Sequence, residues 1–460
     1  MSDSDTDTGR RGASNPALSR SHRESACLRS HAGALPTVPE GRPVPTEADP
    51  NPLAPARGGR KEPIRMPLST NLDRVRGTLL GLAVGDALGA PLEGLSPQQI
   101  RAHYGTVVDY VDGVRAWKRK PYRWRLPGLY TDDTQQALAL CDVILRCGTV
   151  DPDCLAALYL ALATPRNGHA GAHRGVGRSF RQVLEELERG RPPLECGQDS
   201  AGIGAAMRIA PVAIAFFNDT DGLFEAVMAA SLMTHRDIRS LAGAMAVVSA
   251  VRRLLGGEEK SPSLLFRVAG DVALAERRIA ECLAHAVDSI PEYGRSLSRA
   301  IANVEPLLEL SRADAHHALI DEANAHGARP SCKRPTMGFP PACIPTCLYV
   351  LLTTDTFEEA LTEVVNLGGD ADSAGAILGA MAGAHFGVDA IPERWLEGLH
   401  NRVGIERRAE ALAVGPDAVL EIPDLVETER ALSALEHSSR ESFKAPPSPN
   451  AGSQFTPRTD

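Results

Sequence analysis

Two acidic stretches carry residue types and spacings suited to metal chemistry. Asp370-Ala-Asp372-Ser373 sets two carboxylates and a hydroxyl at the head of a run of small residues. Thr131-Asp132-Asp133 sets another hydroxyl before adjacent carboxylates, and apolar residues follow at helical spacing from Ala137 to Leu145. Adjacent side chains point in different directions, so Asp132 and Asp133 suit two partners around one site better than a single chelate. Hard divalent cations such as Mg²⁺ or Mn²⁺ take carboxylate, hydroxyl and water oxygens. Thr131, Asp132, Asp133, Asp370, Asp372 and Ser373 together offer enough oxygens for a pair of ions, a recurring device in hydrolysis. A plainer reading also fits, because acidic residues before helices cap them and favour the helix dipole.

The elements that must position these groups are written in glycine. Gly375, Gly379 and Gly383 recur every fourth residue behind Asp372, and Gly81, Gly85 and Gly89 do the same in an earlier helical stretch. Residues four apart share one helix face, and each glycine costs roughly 1 kcal/mol of helix propensity against alanine. A bare face lets another backbone approach closely, so the two helices are expected to pack against each other at the centre of the domain. Pro91 ends the first helix and Glu93 leaves it, either toward the acidic groups or toward solvent.

Smaller signals accompany them. Arg174-Gly175-Val176-Gly177-Arg178 is a glycine turn whose amides suit a pyrophosphate, though a plain loop explains it equally. Ser200-Ala-Gly202-Ile-Gly204 opens another helix, with Arg208 reading as a contact to an acidic partner or as half of a buried ion pair. Thr234-His235 has the pattern of a helix start, where capping alone would account for Thr234.

Composition limits the alternatives. The chain has 460 residues, 43 % hydrophobic, and a formal net charge of -9; without a basic stripe, nucleic acid is not expected as a partner. No apolar run is long enough to span a membrane, the N-terminus lacks signal-peptide order, and the cytoplasm is the expected location. Nine cysteines without a Cys-x-x-Cys pair argue against a zinc site and favour reduced core residues. Residues 1–66, rich in Ser, Arg, Pro and Gly, are expected to be disordered and to leave hydrolysis of a small substrate unaffected. A folded domain is expected over 67–435, opening near Thr70 and Asp73 with a capping-box pattern, and 436–460 is expected to form a second disordered tail.

Between about residues 70 and 400 the motifs resemble the ADP-ribosylglycohydrolases, the family of dinitrogenase reductase-activating glycohydrolase and of ADP-ribosylarginine and ADP-ribosylserine hydrolases. The resemblance rests on Gly85-Asp-Ala-Leu-Gly-Ala-Pro-Leu-Glu93, Thr131-Asp-Asp-Thr, Gly204-Ala-Ala-Met-Arg-Ile-Ala-Pro, Thr234-His235 and Gly369-Asp-Ala-Asp-Ser. It implies an all-α compact orthogonal bundle around two magnesium ions, Mn²⁺ being possible, held by Thr131, Asp132, Asp133, Asp370, Asp372 and Ser373. It further implies catalytic roles for Glu93 and Asp132, and ADP-ribose contacts from Gly175, Gly177, Ser200, Gly202, Gly204 and His235. Ser373 stands where family members usually carry Thr, Ile203 where they carry Asn, and Ala201 offers no ring to an adenine. The implied activity is magnesium-dependent hydrolysis of the bond at the ribose anomeric carbon of an ADP-ribosylated protein or small conjugate, with arginine as the acceptor. Two other classes stay open: a metal-dependent phosphohydrolase cleaving the pyrophosphate, and a non-catalytic or immunity-type protein that neutralises an ADP-ribosylating toxin.

Overall fold

In a computed structural model of the chain, residues 72–165, 171–283 and 296–444 are described. They form eighteen α-helices. In order these are α1 Leu72–Gly89, α2 Pro97–Tyr104, α3 Asp132–Cys147, α4 Pro152–Ala163, α5 Arg178–Glu188, α6 Gly204–Met207, α7 Ala210–Ala215, α8 Thr220–Leu232 and α9 Ile238–Leu255. The second half comprises α10 Pro262–Cys282, α11 Ser296–Ala302, α12 Arg312–Ala325, α13 Pro340–Thr353, α14 Phe357–Asn366, α15 Ala371–Phe386, α16 Glu393–Gly398, α17 Arg402–Val414 and α18 Leu425–Lys444. The expected all-α bundle is therefore what the chain forms; among the described residues the one extended pairing is a parallel bridge between Gln198 and His235. None of the described helices is long and apolar enough to cross a membrane.

α1 and α15 pack against each other at the centre, as their glycines predict, and they run antiparallel. Gly77, Gly81 and Gly85 face Gly383, Gly379 and Gly375 in turn. A Cβ on Gly85 would lie 1.9 Å from the Gly375 carbonyl oxygen, and one on Gly379 would lie 2.0 Å from that of Gly81. No side chain fits at such distances, so the propensity lost to glycine is offset by close dispersion contact between two backbones. Every residue of α15 from Ala371 to Ala384 is buried. A helix buried all round has few ways to shift.

This pairing fixes where the acidic stretches lie. The antiparallel register brings the start of α15 beside the end of α1, where a Cβ on Gly89 would meet the Ala371 oxygen at 2.1 Å. The Gly94 N–H then donates to the Gly369 oxygen at 2.6 Å and the Gly369 N–H to the Leu95 oxygen at 3.0 Å, tying the Glu93 turn to the Asp370 turn. Gly368 and Gly369 both take positive φ, 67° and 71°, a succession that L side chains rarely adopt.

One expectation changes at the termini, and one lies outside the described residues. Thr70, and with it the expected capping pattern, lies outside the described residues, as do residues 1–66; Asp73 Oδ1 accepts from the Val388 N–H at 2.9 Å beyond the far end of α15. The chain does not leave the fold at Leu435, because α18 continues to Lys444. Its second half looks tail-like because polar groups supply its contacts: Glu436 is buried, Arg440 Nε donates to the Trp124 oxygen at 2.8 Å, and Phe443 meets the Trp124 ring edge-on. Residues 445–460 lie outside the described residues.

Candidate active site

The site is assembled from helix starts that other helices hold in place. Thr131, the residue before α3, makes no capping bond with its own side chain. The cap comes from α1, where the fully buried Asp86 accepts from the Thr131 N–H at 3.0 Å and hydroxyl at 2.8 Å and from the Thr134 N–H at 3.1 Å and hydroxyl at 2.7 Å. Four donors on one carboxylate satisfy the free amides of a helix start and compensate a buried charge. Asp132 and Asp133 are thereby fixed relative to α1, and through the glycine contacts to Asp370 and Asp372.

A cavity of about 410 Å³ opens at this junction. Asp132, Asp133, Asp370, Asp372 and Ser373 line it together, with Glu93 at one side. Gly175, Gly177, Ser200, Gly202, Gly204 and His235 contribute to the same wall. Thr131 alone among the expected site residues lies behind the lining, fully buried, its hydroxyl 3.3 Å from Asp133 Oδ2 as well as bonded to Asp86. Every residue singled out for chemistry is thus at or directly beneath one cavity.

The electrostatics are one-sided. None of the four aspartates has an ion-pair partner among the described residues, and Asp133 Oδ1 is buried without a hydrogen-bond donor. Burial raises the Asp132 carboxyl to about 8, with the charges of Asp86, Glu93 and Asp370 adding to it. Burial likewise pushes Asp133 and Asp372 well above the usual carboxylate range and takes Asp370 to about 6, with Glu93 adding to the last two. Such a set of mutually repelling oxygen donors, one of them without a partner, fits a hard divalent cation. Asp132, Asp133, Asp370, Asp372 and Ser373 could hold it, with Thr131 contributing from behind. The Ser373 hydroxyl lies 3.6 Å from Met207 Sδ and within hydrogen-bonding reach of the Asp133 and Asp370 carboxyls.

Three features escaped the sequence. Gln136 Nε2 donates to Asp132 Oδ2 at 2.7 Å, and its oxygen accepts from Arg208, which also donates to Thr234 Oγ1 at 2.6 Å. Among the described residues Arg208 is therefore in no ion pair; its charge reaches Asp132 through an amide. The spacing of Asp132 and Gln136, four apart on one helix, was the available signal. His235 hangs on the same chain through Nδ1, 2.8 Å from Thr234 Oγ1, and burial followed by the Arg208 charge lowers it to about 3, so its ring is neutral. A Cβ on Gly204 would come within 2.8 Å of that ring, which is why glycine stands there.

Second, Glu93 does not simply face solvent: Arg123 Nη1 lies 2.5 Å from its Oε2, and the Arg123 guanidinium sits 5.4 Å from the Trp117 ring. Third, Cys147 and Cys154 bring their sulfurs to 3.4 Å, with Asp151 alongside, a cysteine grouping the sequence reading did not anticipate. Fifteen residues of α3 separate it from Asp132, about 22 Å along the axis, so it belongs to a different part of the molecule.

Comparisons with known proteins place the fold and sequence in a family. The family model described as ADP-ribosylglycohydrolase matches residues 67–420. The ADP-ribosyl-dinitrogen reductase glycohydrolase of Rhodospirillum rubrum is 30 % identical over 342 residues, covering 74 % of this chain and 95 % of that protein. The ADP-ribosylarginine hydrolase Tri1 of Serratia proteamaculans is 26 % identical over 353 residues, covering 76 % and 81 %. A solved structure named as an ADP-ribosylglycohydrolase-related protein complex superposes with a TM-score of 0.54 at 30 % identity, covering 76 % of this chain and 100 % of that one. Four aspartates around one cavity, on a fold and a sequence of this kind, leave one assignment: the chain belongs to the ADP-ribosylglycohydrolase family and is an enzyme that removes ADP-ribose by hydrolysis.

Proposed function

We propose that the protein is a magnesium-dependent hydrolase that releases ADP-ribose from a modified arginine by cleaving the bond at the ribose anomeric carbon. The observation that carries this reading is the convergence of Asp132, Asp133, Asp370, Asp372 and Ser373 on one cavity, with no cation of the protein paired to any of the aspartates among the described residues. Arginine is favoured because the Serratia relative is named for that acceptor.

When bound, a pair of divalent ions supplies charge to orient the ribose hydroxyls and to acidify a water. The chain's own residues do the rest. Asp86 holds the start of α3 still. Gln136, backed by Arg208, fixes Asp132 through Oδ2, which leaves Oδ1 on the side of Gly175; a Cβ there would stand 3.1 Å from that oxygen. The glycines at 175 and 177 keep the loop low enough for a pyrophosphate to approach its amides. Two carboxylates are in reach of the cavity as acceptors for the proton of the attacking water: Asp132 from beneath and Glu93, steadied by Arg123, from the rim. Neutral His235, with Ser200, Gly202 and Gly204, forms the wall for the remaining nucleotide.

The test is incubation with ADP-ribosylarginine and ADP-ribosylserine, with and without chelator, the products identified by mass. Intact ADP-ribose formed only with Mg²⁺ present is expected. AMP together with an amino acid that still carries ribose phosphate would make the protein a phosphohydrolase, and no product from either conjugate would favour the non-catalytic reading.

A further inference from the structure

A second and larger cavity, of about 810 Å³, adjoins the first and has no role in the reading above. The two share Glu93, Gly175, Gly177 and Arg178 as a common boundary, so an extended ligand can pass from one to the other. None of the four aspartates, and none of Ser200, Gly202, Gly204 or His235, reaches the second. Its far wall is Ser433–Arg440 of α18, beyond residue 420 where the family match ends.

Its charge is the opposite of the chain's. In a protein of net charge -9, six arginines line this cavity against two glutamates. Three of the six are committed: Arg123 to Glu93, Arg440 to Glu436 at 2.5 Å, and Arg174 to the buried Glu429 at 2.6 Å. Arg178 and Arg181, on the first turn of α5, are exposed and have no ion-pair partner among the described residues. Arg125 is only 5 % exposed, its Nε has no acceptor, and its nearest acid, Glu436, is 3.9 Å away. An inward-held guanidinium with an unmet N–H and two unpaired ones at the mouth make a site for anions. The uncapped amides of α5 behind Gly177 add to it.

We propose that this cavity is the acceptor subsite, and that it selects ADP-ribosylated segments in which aspartate or glutamate flanks the modified residue. The proposal rests on the hydrolase reading: with ADP-ribose in the aspartate-lined cavity, the group attached to the anomeric carbon must leave through the Glu93 boundary. A volume of this size takes several residues of peptide, far more than one side chain. Free carboxylates on those residues answer Arg125, Arg178 and Arg181, whereas lysines would meet like charge.

The experiment uses the full chain and its Arg181→Glu variant, an exposed change in the second cavity only. Three substrates are compared with Mg²⁺: free ADP-ribosylarginine, a peptide with ADP-ribosylarginine between aspartates and glutamates, and the same peptide with lysines in their place. Anisotropy of the labelled, unmodified acidic peptide is measured in parallel. The wild type is expected to cleave the acidic peptide at least about fivefold more efficiently than the lysine peptide, and the variant to lose that preference and the binding. Its kcat/KM on free ADP-ribosylarginine should be unchanged. Equal loss on the free conjugate would mean that the cavity holds part of ADP-ribose itself, and equal rates of the wild type on both peptides would remove the subsite. Displacement of the acidic peptide by an oligonucleotide that itself binds more tightly would overturn the choice of a protein partner. If the wild type cleaves none of the three, the hydrolase reading fails, and Arg181-dependent peptide binding alone decides whether the acidic-segment site stands.

Discussion

Asp86 of α1 caps the helix that Thr131 opens, taking both the amide and the hydroxyl of Thr131 on one buried carboxylate. The bond runs across 45 residues of chain and joins the close contact between two glycine faces to the helix start bearing Asp132 and Asp133. Asp86 thus acts on the reaction by position.

Asp86→Ala would strand four donors in a buried site. A loss of about 2–4 kcal/mol of stability is expected, from the missing cap and the unmet hydrogen bonds. Thermal melting reads that loss, and turnover should fall with it. A variant that melts normally and turns over at the wild-type rate would show that α3 is held by other means.

Asp132→Asn and Asp372→Asn test the ion site directly. Each keeps the size of the side chain, so circular dichroism should be unchanged while hydrolysis disappears and Mg²⁺ binds more weakly. Wild-type turnover in either variant would sink the paired-ion arrangement. Adding Mg²⁺ should raise the melting temperature of the wild type more than that of either variant, because a bound ion stabilises only the folded state.

The glycine faces and the acidic helix starts were legible because both are local patterns. A four-residue spacing or an Asp-x-Asp-Ser motif can be read within a few residues. The Gln136–Arg208–Thr234–His235 chain was not, because it joins three segments whose proximity exists only once helices have packed. Glu93 misleads for the same reason: nothing in Pro121-Tyr-Arg123 announces that its arginine will reach back 30 residues. The end of α18 was missed on composition, since buried Glu436 and Arg440 resemble the residues of a solvated tail.

Gly379→Leu measures the central packing. Even a Cβ at this position stands 2.0 Å from the Gly81 oxygen, so the helices must separate, at a cost on the order of 1–3 kcal/mol or more. On a free helix surface, removing a glycine would raise stability instead. A lowered melting midpoint is expected; a raised one would contradict the close contact.

His235 gives a pH dependence with a definite sign. Burial and the Arg208 charge depress it to about 3, below its value of 6.5 in an unfolded chain, so the fold keeps it neutral while the unfolded chain takes up a proton. Its stabilising contribution is therefore complete above pH 6.5 and shrinks as the pH falls. Compared with His235→Asn, the wild type should lose about 2–3 kcal/mol of relative stability between pH 7.5 and pH 4.5. Denaturant melts of both proteins across that range give the difference, in which the opposing contribution of the aspartates largely cancels. A constant difference would mean that the ring titrates normally in the folded protein.

Truncation separates the two readings of the C-terminus. A chain ending at Leu435 loses the last turns of α18, and with them Glu436, Arg440 and Phe443. Trp124 would then lose both its ring partner and the Arg440 bond to its carbonyl, and Arg125 would lose Glu436 from its side of the cavity. Losing a ring contact and a hydrogen bond at a buried tryptophan costs on the order of 1–3 kcal/mol, more than the loss of exposed contacts would. A chain ending at Lys444 retains every one of these contacts and is expected to melt with the full-length protein. The shorter chain should melt lower and, because α18 forms a wall of the second cavity, should lose binding of the acidic peptide as well. Identical melting of the two truncations would show that residues 436–444 add nothing to the fold and that the domain ends where the sequence suggested.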